Sequence, residues 1–195
     1  MSIFSLYFNL GTHHILNFDA YDHILFITTL LAVYKLKQWR KVVVLITAFT
    51  IGHATTLVLF TLGVFSIQPR FVEFFIAVTI IITAIPNILV PLQDKLNKNL
   101  YYSKYLISAL FGMVHGMGFS SYLKAMFDGS RNMVTALFAF NLGIETGQFV
   151  VVSALFLFSW IVLNYLNIKQ VIWNYILSSI GLIVAFVLFV QRWPF

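Results

Sequence analysis

Residues 42–65 read VVVLITAFTIGHATTLVLFTLGVF. These 24 residues carry no acidic or basic side chain other than His53, and five threonines supply most of the remaining polarity. As a helix rising 1.5 Å per residue, the stretch reaches about 36 Å. That exceeds the ~30 Å hydrocarbon core of a bilayer. Lys35, Lys37, Arg40 and Lys41 bound it on one side, and Gln68, Pro69 and Arg70 on the other. A long apolar run bracketed by polar groups predicts a transmembrane helix.

The rest of the chain repeats this pattern. Of 195 residues, 61% are hydrophobic and 9% charged, whereas a soluble domain carries roughly 25% charged residues. One soluble core could not hide this much apolar surface; lipid accepts it. Spans are predicted at about 15 or 22 to 34, 42–65, 71–92, 104–123, 133–163 and 171–190. The fold is therefore all-α: a single polytopic membrane domain, residues 1–195, with about six transmembrane helices. Residues 1–14 are too short to span and belong at the interface or outside the membrane. They lack a basic start and a small-residue cleavage site, so no cleaved signal peptide is expected. Pro86 predicts a kink in the third span, with Asn87 satisfying backbone groups freed there.

The net charge of +6 would suggest nucleic acid in a soluble protein. In a membrane protein it marks cytoplasmic loops. The loops after spans one, three and five hold Lys35, Lys37, Arg40, Lys41, Lys95, Lys98, Lys104 and Lys169. The opposite side holds only Arg70, Lys124, Arg131 and Arg192. Both termini are then outside, and the expected location is the inner (plasma) membrane, multi-pass. The expected partners are the lipid bilayer and a metal ion, with no nucleic acid. Arg192-Trp193 reads as an interfacial anchor. No cysteine is present, which excludes disulfides and thiolate metal sites.

A charge placed in hydrocarbon costs at least ~2.5–3.5 kcal/mol on insertion scales, so titratable groups within spans need a reason. His53 is about twelve residues into its span, roughly 18 Å deep. His115 and Glu145 reach similar depth in spans four and five. Asp19, Asp22 and His23 share one helical face at the outer start of span one. Glu73 starts span three. Small residues flank His53, and Gly112 and Gly116 flank His115 in a G-x-x-x-G pattern that lets helices approach closely. Asn141, Glu145 and Gln148 fall on one face of span five. Spans two and four both run outward and share Phe-x-x-x-His-small, a pattern consistent with an internal duplication.

Neutral imidazoles and carboxylates without sulfur suit Ni(II), Zn(II), Co(II) or Mn(II), and soft Cu(I) less. Each position also has a plainer reading. His53 and His115 could be interhelical hydrogen-bond partners, Glu145 a partner for threonine or a proton carrier, and Asp22-His23 a solvated helix start. Glu73 could serve the helix dipole. His13 and His14 read as solvated or interfacial, and Asn141 and Gln148 as interhelical glue.

Several blocks, in order, resemble the HupE/UreJ family. They are Gly11-x-x-His14-Ile15, Asp22-His23-Ile24-Leu25-Phe26, Phe49-Thr50-Ile51-Gly52-His53-Ala54-Thr55-Thr56-Leu57, Val72-Glu73-Phe74-Phe75-Ile76-Ala77 and Pro86-Asn87. Phe111-Gly112-x-x-His115-Gly116-x-Gly118-Phe119 and Phe140-Asn141-Leu142-Gly143-Ile144-Glu145-x-Gly147-Gln148 complete the set. Members are associated with hydrogenase and urease gene clusters and regarded as nickel or cobalt permeases. The resemblance implies an outer metal-handling motif of His14, Asp22 and His23, with His53, His115 and Glu145 deeper. The family usually shows five residues between its His and Asp-His; here seven separate His14 from Asp22, Asp19 among them.

The leading expectation is a divalent-metal permease with metal ligands His14, Asp22, His23, His53, His115 and Glu145. Asp19, Glu73, Asn141 and Gln148 would lie in the second shell or along the path. The rival is an intramembrane zinc-dependent hydrolase acting on a lipid or a membrane-bound peptide. Whether His23 hangs inward decides between one merged site and successive stations.

Overall fold

The computed structural model describes residues 2–17, 21–64, 66–89, 98–127 and 132–194, with the backbone alone at 98–102 and 120–127. Among these residues there are seven α-helices: α1 (Ile3–Leu16), α2 (Asp22–Leu31), α3 (Trp39–Thr61), α4 (Pro69–Leu89), α5 (Lys98–Phe127), α6 (Met133–Tyr165) and α7 (Gln170–Gln191), with one 3-10 turn at Leu36–Gln38 before α3. The six predicted spans overlap α2 through α7, but α2 has only ten residues and rises about 15 Å, half of what a crossing needs. Four stretches among the described residues are long and apolar enough to cross a membrane: Leu36–Thr61, Pro69–Leu89, Met133–Tyr165 and Gln170–Gln191. The opening segment is a 14-residue helix with Tyr7, Gly11 and Ile15 buried.

Helix ends follow local chemistry. Ser2 caps α1, its hydroxyl accepting from the Ser5 N–H. At the end of α3, Gly63 takes a φ of 73°. Its N–H donates to Phe60 O, and the Val64 N–H to Leu59 O. This is a Schellman ending, which needs a residue at ease in the left-handed region. The helix α4 continues through Pro86 to Leu89. Asn87 does not serve the backbone freed by Pro86, as the sequence had suggested. Its side-chain amide donates across to Thr29 O of α2 at 2.8 Å, and Asn174 of α7 donates to Asn87 O at 2.6 Å.

Two pairs of parallel helices build the half of the bundle that holds the histidines. In the first, α3 and α5 are locked in one register. Ser108 donates to Leu45 O. A Cβ on Gly112 would overlap Phe49 O, and one on Gly116 would meet His53 O and the Thr56 hydroxyl. The offset is 63 residues each time, so the two Phe-x-x-x-His stretches lie side by side in the same direction. In the second pair, Gly11 of α1 abuts Phe140 O of α6, Gly143 abuts Phe8 O, and Gly147 packs on Ile15. Lipid-like surroundings give no hydrophobic drive between helices, so such backbone approach is what holds them. The polarity is inside out: Ile51, Leu106, Phe138 and Ile183 are exposed, while His53, His115, Gln148, Asn174 and Ser178 are buried.

Candidate metal centre

The site forms where the end of α1, the start of α2 and the middles of α3 and α5 meet. Ile15 is fully buried against Gly147, and this contact fixes the last turn of α1. His14, one residue earlier, is thereby turned toward the bundle, with its ring 4.8 Å from His23, 6.2 Å from His53 and 4.3 Å from Phe119. The His23 ring lies 6.4 Å from His53 and 5.1 Å from His115. His13 is exposed, as the sequence suggested.

Candidate donor nitrogens of His14, His23 and His53 lie within 4.8 Å of one another. Ligands sharing one ion through 2.1 Å bonds sit at most about 4.2 Å apart, so small side-chain rotations bring this set to bonding distance. The nitrogens are also bare. His14 Nε2, His23 Nε2, both His53 nitrogens and His115 Nε2 are buried without a hydrogen-bond partner. Buried polar atoms are normally satisfied. Bare acceptor nitrogens converging from several helices suit a bound cation.

Two of the imidazoles are held in the ligating tautomer. The Asp22 carboxylate lies 3.0 Å from His23 Nδ1. A carboxylate only accepts, so the proton is on Nδ1 and the Nε2 lone pair is free. The His23 backbone N–H donates to the same oxygen at 2.9 Å. Likewise His115 Nδ1 donates to Phe111 O at 2.9 Å, which frees Nε2. Asp22 thus orients a ligand in this geometry.

The predicted residues divide plainly. His14, His23 and His53 come together, His115 adjoins His23, and Asp22 supports His23. Asn141 stands beside His53 and donates to Leu137 O, its Oδ1 buried without a partner. Glu145 lies outside the histidine set and accepts from Thr47 at 2.8 Å. Gln148 accepts from Thr50 at 2.8 Å. Glu73 pairs with Arg192 at 3.7 Å. Asp19 lies outside the described residues.

Three features escaped the sequence. Thr47 and Thr50 extend the His53 face of α3 at three-residue intervals, a spacing that was readable. Phe119 and Phe140 stack at 5.1 Å and wall the site beside His14. Arg192 is more than an anchor: it lies 3.6 Å from Asp22 and 3.7 Å from Glu73, tying the end of α7 to α2 and α4. This fixed cation opposes a metal. Arg192→Gln is expected to tighten metal binding by on the order of ten-fold through loss of that repulsion, as isothermal titration would show; unchanged affinity would mean its charge is screened from the site.

Comparison with curated proteins and with solved structures gives no match. The family model described as HupE / UreJ protein matches residues 1–192. The blocks that hold His14, His23, His53 and His115 all lie within that match, and the chain belongs to the HupE/UreJ protein family.

Proposed function

We propose that this chain is a multi-pass protein of the inner (plasma) membrane that carries a divalent transition metal, nickel, cobalt or zinc, across the bilayer. On this reading α3 through α7 each cross the bilayer, and α1 and α2, 14 and ten residues long, together make the sixth crossing, α1 packed on the outer half of α6, with both termini outside. The convergence of bare imidazole nitrogens from α1, α2 and α3 carries the reading. A polar seam continues from it. His53, Thr50 and Thr47 descend α3 toward its basic end, bonded or adjacent to Asn141, Gln148 and Glu145 of α6. Metal enters past Asp22, is held by the histidines, and leaves along this seam. Transport requires that binding at this site be weak enough to reverse.

The test is uptake of Ni(II), Co(II) and Zn(II) into proteoliposomes. The native chain is expected to accumulate at least one of them. Equal uptake by native protein and by His53→Ala with His115→Ala would sink the proposal. Glu145→Gln separates path from site: binding should hold within about three-fold while uptake slows about ten-fold, as for a carboxylate on an ion pathway. Equal losses in both would place Glu145 at the binding site.

One observation favours a second reading. His14 and His23 merge with His53 into a single compact set, and three histidines with an open position describe a catalytic zinc site. On this reading the chain is an intramembrane hydrolase of a lipid or membrane-bound peptide, in which a bound zinc would supply an activated water. One equivalent of metal surviving detergent and exhaustive dialysis, without transport, favours it.

A further inference from the structure

A cavity lies at the end of the bundle where α6 ends and α7 begins. The end of α2, the 3-10 turn, the last turns of α6 and the start of α7 enclose this cavity, of about 560 Å³. Lys35 and Lys37 stand on one wall, Ser159, Trp160 and Asn164 on another, and Gln170 on a third. Phe156 supplies an apolar surface. Gln170 donates through Nε2 to Ala32 O at 3.2 Å, which holds its amide in place. Two ammonium groups beside the Ser159 hydroxyl and the Asn164 and Gln170 amides have the chemistry to hold a polar anionic ligand.

We infer that this cavity holds the headgroup of an anionic phospholipid, phosphatidylglycerol in type. The phosphate is matched by Lys35 and Lys37. The acyl chains run over exposed Trp160 and the neighbouring apolar face of α6, where Leu157 and Ile161 are exposed. Three facts select a lipid over a soluble anion. The cavity opens at the ends of apolar helices. Trp160 and Tyr165, with ring centroids 5.6 Å apart, are the aromatic pair typical of a membrane interface. The cations sit on the side richer in Lys and Arg, where anionic headgroups meet juxtamembrane basic residues.

The experiment is native mass spectrometry of the full chain in detergent, with phosphatidylglycerol, phosphatidylcholine or free glycerol phosphate as the probe. Native protein is expected to retain phosphatidylglycerol about 30-fold better than phosphatidylcholine, from two lysines at the headgroup. Lys35→Gln with Lys37→Gln should reduce that preference to about two-fold. Arg40→Gln with Lys41→Gln removes equal charge from residues that do not line the cavity, and should leave it nearly intact. Equal loss in both double variants, no headgroup preference in the native chain, or displacement of the lipid by free glycerol phosphate would each overturn the inference. A thermal melt of each variant separates loss of the site from loss of the fold.

Discussion

His23→Ala is expected to lower the affinity for a divalent transition metal by more than about 100-fold, and Asp22→Asn by about 10–100-fold. The two differ because of what each side chain does. His23 brings a bare Nε2 to within reach of His14 and His53, so its loss deletes a donor. Asp22 fixes the proton on Nδ1 from 3.0 Å away. Its amide counterpart can present either an oxygen or an N–H, which leaves the tautomer unset and weakens His23 without deleting it. His53→Ala should match His23→Ala, since both of its nitrogens are unpartnered and it lies in the same set. Competition titration with a chromophoric chelator measures all three. If Asp22→Asn lost as much as His23→Ala, Asp22 would be a ligand itself.

Gly112→Leu is expected to prevent correct folding, with a loss of about 3 kcal/mol or more. A Cβ there would overlap the Phe49 carbonyl oxygen, which belongs to a helix backbone and cannot rotate aside. The pair α3 and α5 would separate along its whole register, and His53 and His115 would lose their relative placement. Gly52→Leu meets Ala109 O in the same way. Gly118 is the control. A Cβ there finds its nearest neighbour, Ile76 Cδ1, at 3.5 Å, an ordinary contact. Gly118→Ala should be neutral or stabilise by up to about 1 kcal/mol through helix propensity. Thermal unfolding in detergent distinguishes these outcomes. A Gly112→Leu protein as stable as the native chain would contradict the close-packed pair.

These two predictions draw on different levels of information. Gly112 and Gly116 were legible as a close-approach pattern, because G-x-x-x-G is a local spacing on one helix. Their partners were not, since Phe49 and His53 lie 63 residues away. The titratable residues were legible as well, because an imidazole in a 24-residue apolar run stands out against the cost of burying it. Their assignment to an outer and a midplane level came from counting residues along straight spans. That count treats each helix separately. It left His14 solvated, while the structure turns it toward His23 through the buried contact of Ile15 with Gly147. It also put Glu145 level with His53, whereas Glu145 accepts a bond from Thr47, farther down α3.

The amino-acid sequence by itself determined the class of solvent, the helical segments and the chemistry available. Apolar content adds up residue by residue, and a backbone in lipid must satisfy its hydrogen bonds within each helix. Tertiary structure alone decided that four histidines from four helices share one place, that Asp22 orients His23, and that Arg192 ties the end of α7 to α2 and α4. Those outcomes depend on how each helix is rotated and how deeply neighbours approach. Glycine contacts between distant segments set both, and no local pattern encodes which carbonyl a given glycine will meet.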